Sequence, residues 1–158
     1  MITMMAVLLY AMAVIILLLF GAPGVQAACT ETLGYVGGDV WKLTLAWTAN
    51  ANGSFDDDTT AVDLKGYILE VVTVPDSTAG GDYPNDNYDV TLTTELGDDI
   101  MGGAIANRDT TSTERAQPLS ESDNEVTPVI DGTLILDVTG NTVNGAKGSV
   151  IIYWIKRD

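Results

Sequence analysis

The chain has no histidine, a single cysteine (Cys29), and only four lysines and three arginines among 158 residues. Without histidine there is no Ser-His-Asp triad, no Cys-His nucleophile pair and no imidazole metal ligand. One cysteine leaves no internal disulfide framework and no thiolate zinc cluster. Against 7 basic residues stand 22 acidic ones, a formal net charge of -15. Affinity for a phosphate backbone comes mainly from Lys and Arg, so nucleic acid is not an expected partner. The same surplus predicts a soluble surface that repels anionic membranes. Beyond the first thirty residues no stretch sustains a helical period, and no segment repeats at a fixed spacing.

Charge is absent altogether before Glu31. Residues 4–20 (MMAVLLYAMAVIILLLF) are a nearly unbroken apolar run, which Gly21, Pro23 and Gly24 then end. Val25 and Ala27 follow, with the small or β-branched side chains that a signal peptidase reads. Residues 1–27 are therefore expected to be a secretory signal peptide and the mature chain to begin at Ala28, although no Lys or Arg precedes the run. The alternative is an uncleaved membrane anchor over residues 2–22, whose 21 residues suffice to cross a bilayer. Cys29 is a lipidation candidate. A lipobox has Leu, Val or Ile three places before its cysteine, whereas Gln26 stands there. The simpler reading is a free thiol or an intermolecular disulfide near the new N-terminus.

After a glycine-rich lead-in arm over residues 28–39, taken as flexible, residues 40–158 read as one β domain. In Val40–Thr48, Trp41, Leu43, Leu45 and Trp47 alternate with polar residues, the period of a half-buried strand. Residues 66–74 (GYILEVVTV), 88–93, 133–139 (TLILDVT) and 149–156 (SVIIYWIK) are further strands. Residues 50–58 and 76–87 read as turns, and residues 100–106 are ambiguous. Residues 107–125 form a long polar loop, with room for a short edge strand within 114–119. The last two strands, separated by a Gly/Asn-rich stretch, are expected to pair as a C-terminal hairpin. The fold class is all-β, an antiparallel β-sandwich or jelly roll of about seven or eight strands.

Several residue groups invite a chemical reading. Asn50, Asn52, Ser54, Asp56 and Asp58 alternate as Ca²⁺-loop ligands do. An EF-hand loop wants glycine sixth and Glu twelfth, but Gly53 is fourth and Val62 stands near the Glu slot, so a solvated turn is the simpler account. Asp82, Asp86 and Asp89 with Tyr83 and Tyr88 suggest a glycan-binding patch, although the parity of its strand puts Tyr88 in the core. With 16 Asp in the chain, carboxylate pairs arise by chance, and none has an apolar setting that marks a catalytic acid. No enzyme activity and no cofactor is expected, Ca²⁺ being the one metal considered. The final strand stands out: Val150, Ile152 and Trp154 fill one face while Ile151, Tyr153 and Ile155 fill the other. A strand with one face in water is not apolar on both. Either it is the most enclosed strand of the fold, or Ile151, Tyr153 and Ile155 meet another subunit.

The run Trp47-Thr48, Gly66-Tyr67, Val72-Thr73-Val74-Pro75, Asn87-Tyr88-Asp89-Val90-Thr91-Leu92 and Gly97-Asp98-Asp99-Ile100-Met101-Gly102-Gly103 resembles a group of small proteins encoded among virion genes of tailed phages and prophages. So does the ending, Gly132-Thr133-Leu134 to Val138-Thr139-Gly140-Asn141 and Gly148-Ser149-Val150 to Tyr153. The resemblance spans roughly residues 40–156. It implies a β-rich accessory virion component, such as a decoration or fibre protein, with no catalytic residue to carry over. Its partners would be copies of itself or a capsid or tail component. An export signal departs from that pattern and opens a second reading, a secreted or surface-attached bacterial adhesion protein bound to a cell-surface component.

Overall fold

In the computed structural model, residues 27–78, 82–120 and 124–157 are described. The apolar run at 4–20, and with it the signal-peptide and anchor readings, lies outside them. Among the described residues there is no helix, and nine strands form two antiparallel sheets. The strands are β1 (Ala28–Gly37), β2 (Val40–Thr48), β3 (Phe55–Thr59), β4 (Leu64–Pro75), β5 (Asp89–Thr94), β6 (Glu114–Ala116), β7 (Val129–Gly132), β8 (Leu134–Thr139) and β9 (Lys147–Lys156). The larger sheet runs β1-β2-β9-β4, with β6 and β7 sharing the far edge of β4. The smaller runs β3-β8-β5.

The two-residue period sets which face of each strand is buried. Leu43, Leu45 and Trp47 of β2, Val150, Ile152 and Trp154 of β9, and Ile68 and Val71 of β4 reach the core from the larger sheet. Leu134, Leu136 and Val138 of β8 with Val90 and Leu92 of β5 reach it from the smaller. Trp47 of the larger sheet packs against Phe55 of the smaller sheet and against Tyr88. Its ring centroid lies 6.2 Å from Phe55 and 6.0 Å from Tyr88. Gly148 makes room for the indole, since a Cβ there would sit 2.8 Å from Trp47 Cζ2.

Three expectations need correcting. The C-terminal pair is not a hairpin: β8 belongs to the smaller sheet and β9 to the larger, where β9 lies between β2 and β4. The connection at 140–146 passes from one sheet to the other, and both strands contribute apolar residues to the same core. The lead-in arm is not loose; residues 28–37 are β1, paired with β2 from Ala28↔Thr48 to Gly37↔Val40. The turn read at 50–58 ends early, and Phe55–Thr59 is an edge strand on β8 despite its three consecutive aspartates. The chain then changes sheet at a corner held by Thr60, which is 4% exposed. Its Oγ1 accepts from Leu134 N and donates to Val62 O. Residues 99–106 form consecutive tight turns that bury Ile100, Met101 and Ile105. The short edge strand expected in the 107–125 loop is β6.

Candidate assembly surface

β9 is the centre of the larger sheet, so the side chains on its outer face are framed by two neighbours. Ile151 lies opposite Thr44 of β2 and Val72 of β4, Tyr153 opposite Lys42 and Glu70, and Ile155 opposite Val40 and Tyr67. All three are half-buried. Val72 is on the same outer face yet only 3% exposed. The outer face therefore carries its own packed apolar band, from Val40 and Tyr67 through Tyr153 and Ile151 to Val72. Charge fringes it: Arg115 Nη1 is 2.6 Å from Glu70 Oε1, and the Arg157 guanidinium sits 5.1 Å from the Tyr67 ring centroid and donates to its hydroxyl. Both alternatives weighed for Ile151, Tyr153 and Ile155 thus have a physical basis. The strand is central, and its second face remains partly open.

The Val40, Tyr67 and Val72 part of the band escaped the sequence reading. A signal for it was present, because Tyr67-Ile68-Leu69 and Val71-Val72 are apolar at both parities, as in β9. A bulge between Ile68 and Glu70 shifts the register, so simple alternation does not assign these faces.

The other sequence candidates are placed as follows. Asn50, Asn52 and Ser54 close a turn: Asn50 Oδ1 accepts from the backbone N–H groups of Asn52 and Ser54, and its Nδ2 donates to Ser54 Oγ. Asp58 stands apart on β3, beside Cys29, so it does not join that turn. The side chain of Asp56 lies outside the described residues. Among the described residues no group of three His, Cys, Asp or Glu gathers as metal ligands would.

The glycan patch does not assemble. Tyr88 is 1% exposed, in the core. Asp82 pairs with Lys147 at 2.6 Å, and Asp89 accepts from Asn107 N. Tyr83 and Asp86 remain at the surface. Among the described residues, the two carboxyl groups with displaced titration are turn caps. Asp76 is held below the usual carboxylate range by the Thr78 hydroxyl and backbone, and Asp109 by the backbone N–H groups of Thr111 and Ser112. An open cleft of about 510 Å³ lies at the 147–149 end of the outer face. Its charged lining residues, Asp76 and Lys147, are engaged by Thr78 and Asp82.

Cys29 points inward from β1 and packs against the core. Burial first, then the nearby Asp58 and Glu31 charges and a hydrogen bond from the thiol to Asp58, push it up to about 11. A lipid on Sγ would have to displace these contacts. Tyr88 is pushed up to about 12, chiefly by burial and then by the Glu114 charge. Both shifts favour the neutral form. Their stabilising effect is complete below the ordinary thiol and phenol values and is lost as pH rises through about 11 and about 12. Thermal melts are therefore expected to fall steeply on passing pH 10, and Cys29→Ser with Tyr88→Phe to flatten that fall. An unchanged alkaline limb in the double variant would contradict the assignment.

A residue the sequence reading passed over holds one end of the molecule together. Asn141 is 7% exposed. Its Nδ2 donates to Gly53 O at 2.6 Å and Val143 O at 3.2 Å, and its Oδ1 accepts from Asn85 N at 3.1 Å and Val143 N at 3.2 Å. Three loops meet on this one amide. Gly53 fits beneath it with φ +82, where a Cβ would lie 2.4 Å from the Thr142 carbonyl carbon.

No protein-family model, curated protein or solved structure matches the chain.

Proposed function

We propose that the two sheets form a β-sandwich and that the domain is a non-enzymatic structural module, working as a subunit of an assembly. The observation that carries this reading is the apolar outer face of β9, where Ile151, Tyr153 and Ile155 continue into Val72 and Tyr67. The sandwich is supported by one core fed from both sheets and by the Trp47 contacts between them. A jelly roll is less well supported, since six strands face three rather than four facing four. Fully burying one such side chain is worth roughly 1.5–3 kcal/mol, and these are already half-buried, so each contributes less than that. Several together suffice for association once its entropy is offset.

The setting we favour is a virion accessory role, on the resemblance of residues 40–156 to phage virion-gene products. The second reading, an exported cell-surface adhesion protein, is favoured by the apolar run at 4–20. Detection of the chain in purified virions supports the first; recovery from the culture supernatant or cell surface without particles supports the second. Assembly itself is tested by sedimentation. At -15 per chain, self-association is expected to strengthen from low to high salt, as screening removes repulsion. Tyr153→Glu is expected to lower it several-fold while the melting temperature stays close to the parent's. A monomer under every condition, or a folded Tyr153→Glu variant that associates as well as the parent, would remove the interface.

A further inference from the structure

Every sheet edge offers unpaired N–H and C=O groups to a further strand, and proteins blunt such edges with charge, brevity, bulges or covering segments. Among the described residues, three of the four sheet edges are blunted. The far edge of β4 carries only three-residue and four-residue strands, β6 with Glu114 and Arg115 and β7 with Asp131. β3 is five residues long with three aspartates and a register shift. β5 is covered by the segment at 98–108: Ile100 N donates to Leu92 O, Val90 N to Ile105 O, and Arg108 N to Tyr88 O.

β1 is different. It is ten residues long and carries a single charge, Glu31. That carboxylate is spent inward, accepting from Ala61 N at 2.6 Å and Val62 N at 3.3 Å. Among the described residues its backbone pairs with β2 alone. Leu33, Tyr35 and Val36 are 48%, 63% and 53% exposed, three of the seven exposed large hydrophobics in the described structure.

We infer that the open edge of β1 is a strand-pairing interface for a second copy of this chain, joining two larger sheets across a two-fold axis. Charge selects the occupant. The free edge presents no unengaged charge to attract a basic peptide, and in a chain of net -15 a near-neutral strand is where two copies can approach with least repulsion. The strand is also self-complementary. With the axis at Thr32, antiparallel pairing sets Glu31 opposite Leu33 of the other copy, Cys29 opposite Tyr35 and Ala28 opposite Val36, so the two Glu31 carboxylates do not oppose each other. Thr32 is exposed on the outer face and meets Thr32 of the other copy, a favourable cross-strand pair, while Thr30 faces Gly34. This interface is separate from the outer face of β9, and either can fail without the other.

The experiment uses the full chain as recovered from an exporting host, in a Cys29→Ser background. Thr32→Cys places two thiols directly opposite at the axis, within disulfide reach of about 4.5–5.5 Å between Cα atoms. Thr139→Cys, exposed on β8 of the smaller sheet, is the control because it lies on neither the β1 edge nor the outer face of β9. Under mild oxidation Thr32→Cys is expected to give mostly a reducible dimer and Thr139→Cys little. In the unsubstituted chain, β1 amides should exchange several-fold more slowly as concentration rises. A folded Thr32→Cys variant that stays monomeric, cross-linking through Thr139→Cys instead, or β1 exchange independent of concentration would each overturn the inference.

Discussion

Trp47→Asp is expected to leave the domain unfolded. The indole is 2% exposed, packs against Phe55 and Tyr88, and fills the space left by Gly148. Truncating such a residue to alanine costs about 3–5 kcal/mol, a large share of the roughly 5–15 kcal/mol that stabilises a typical domain. Aspartate puts a carboxylate among apolar core side chains, and burying a charge there costs more still. Far-ultraviolet dichroism and denaturant titration read the outcome, with Trp47→Ala as the graded comparison. A Trp47→Asp variant that melts like the parent would mean that this face of β2 is not the core.

Asn141→Ala is expected to cost about 3 kcal/mol, the second-largest effect. Removing the amide leaves the buried Gly53 O and the part-buried Val143 O, Asn85 N and Val143 N without their side-chain partner, and an unsatisfied buried group costs about 1–3 kcal/mol while water can reach the part-buried ones. Asn141→Asp keeps the two acceptor contacts but turns a carboxylate oxygen toward the Gly53 and Val143 carbonyls. It is therefore expected to be no better than alanine. Rescue by aspartate would show that the acceptor contacts alone hold these loops.

Much of this architecture is legible in the sequence because a half-buried strand writes its period into the side chains. Trp41, Leu43, Leu45 and Trp47 face inward as their spacing predicts, although Trp41, near the end of its sheet, is only half-buried. β5, β8 and β9 follow the same rule. What the alternation does not contain is the identity of a strand's neighbour. β8 and β9 look like a hairpin because only seven residues of turn chemistry separate them, yet the same residues serve equally well to pass from one sheet to the other. β1 and β3 went unread for a different reason. Glycines in one and consecutive aspartates in the other run against strand propensity, and hydrogen bonds to β2 and β8 override that preference. Ile151, Tyr153 and Ile155 were visible because β9 is apolar at both parities. Asn141 was not, because a single asparagine in a Gly/Asn-rich stretch looks like any turn residue until three loops converge on it.

The central claim is that the outer face of β9 becomes covered when chains assemble. Hydroxyl-radical footprinting of Tyr153 across a concentration series at high salt tests it most directly, with exposed Tyr83 as the internal standard. The account predicts that oxidation of Tyr153 falls several-fold as the chain is concentrated while that of Tyr83 stays constant. A Tyr153 labelling rate unchanged from dilute to concentrated protein, in a sample whose sedimentation shows association, would contradict it.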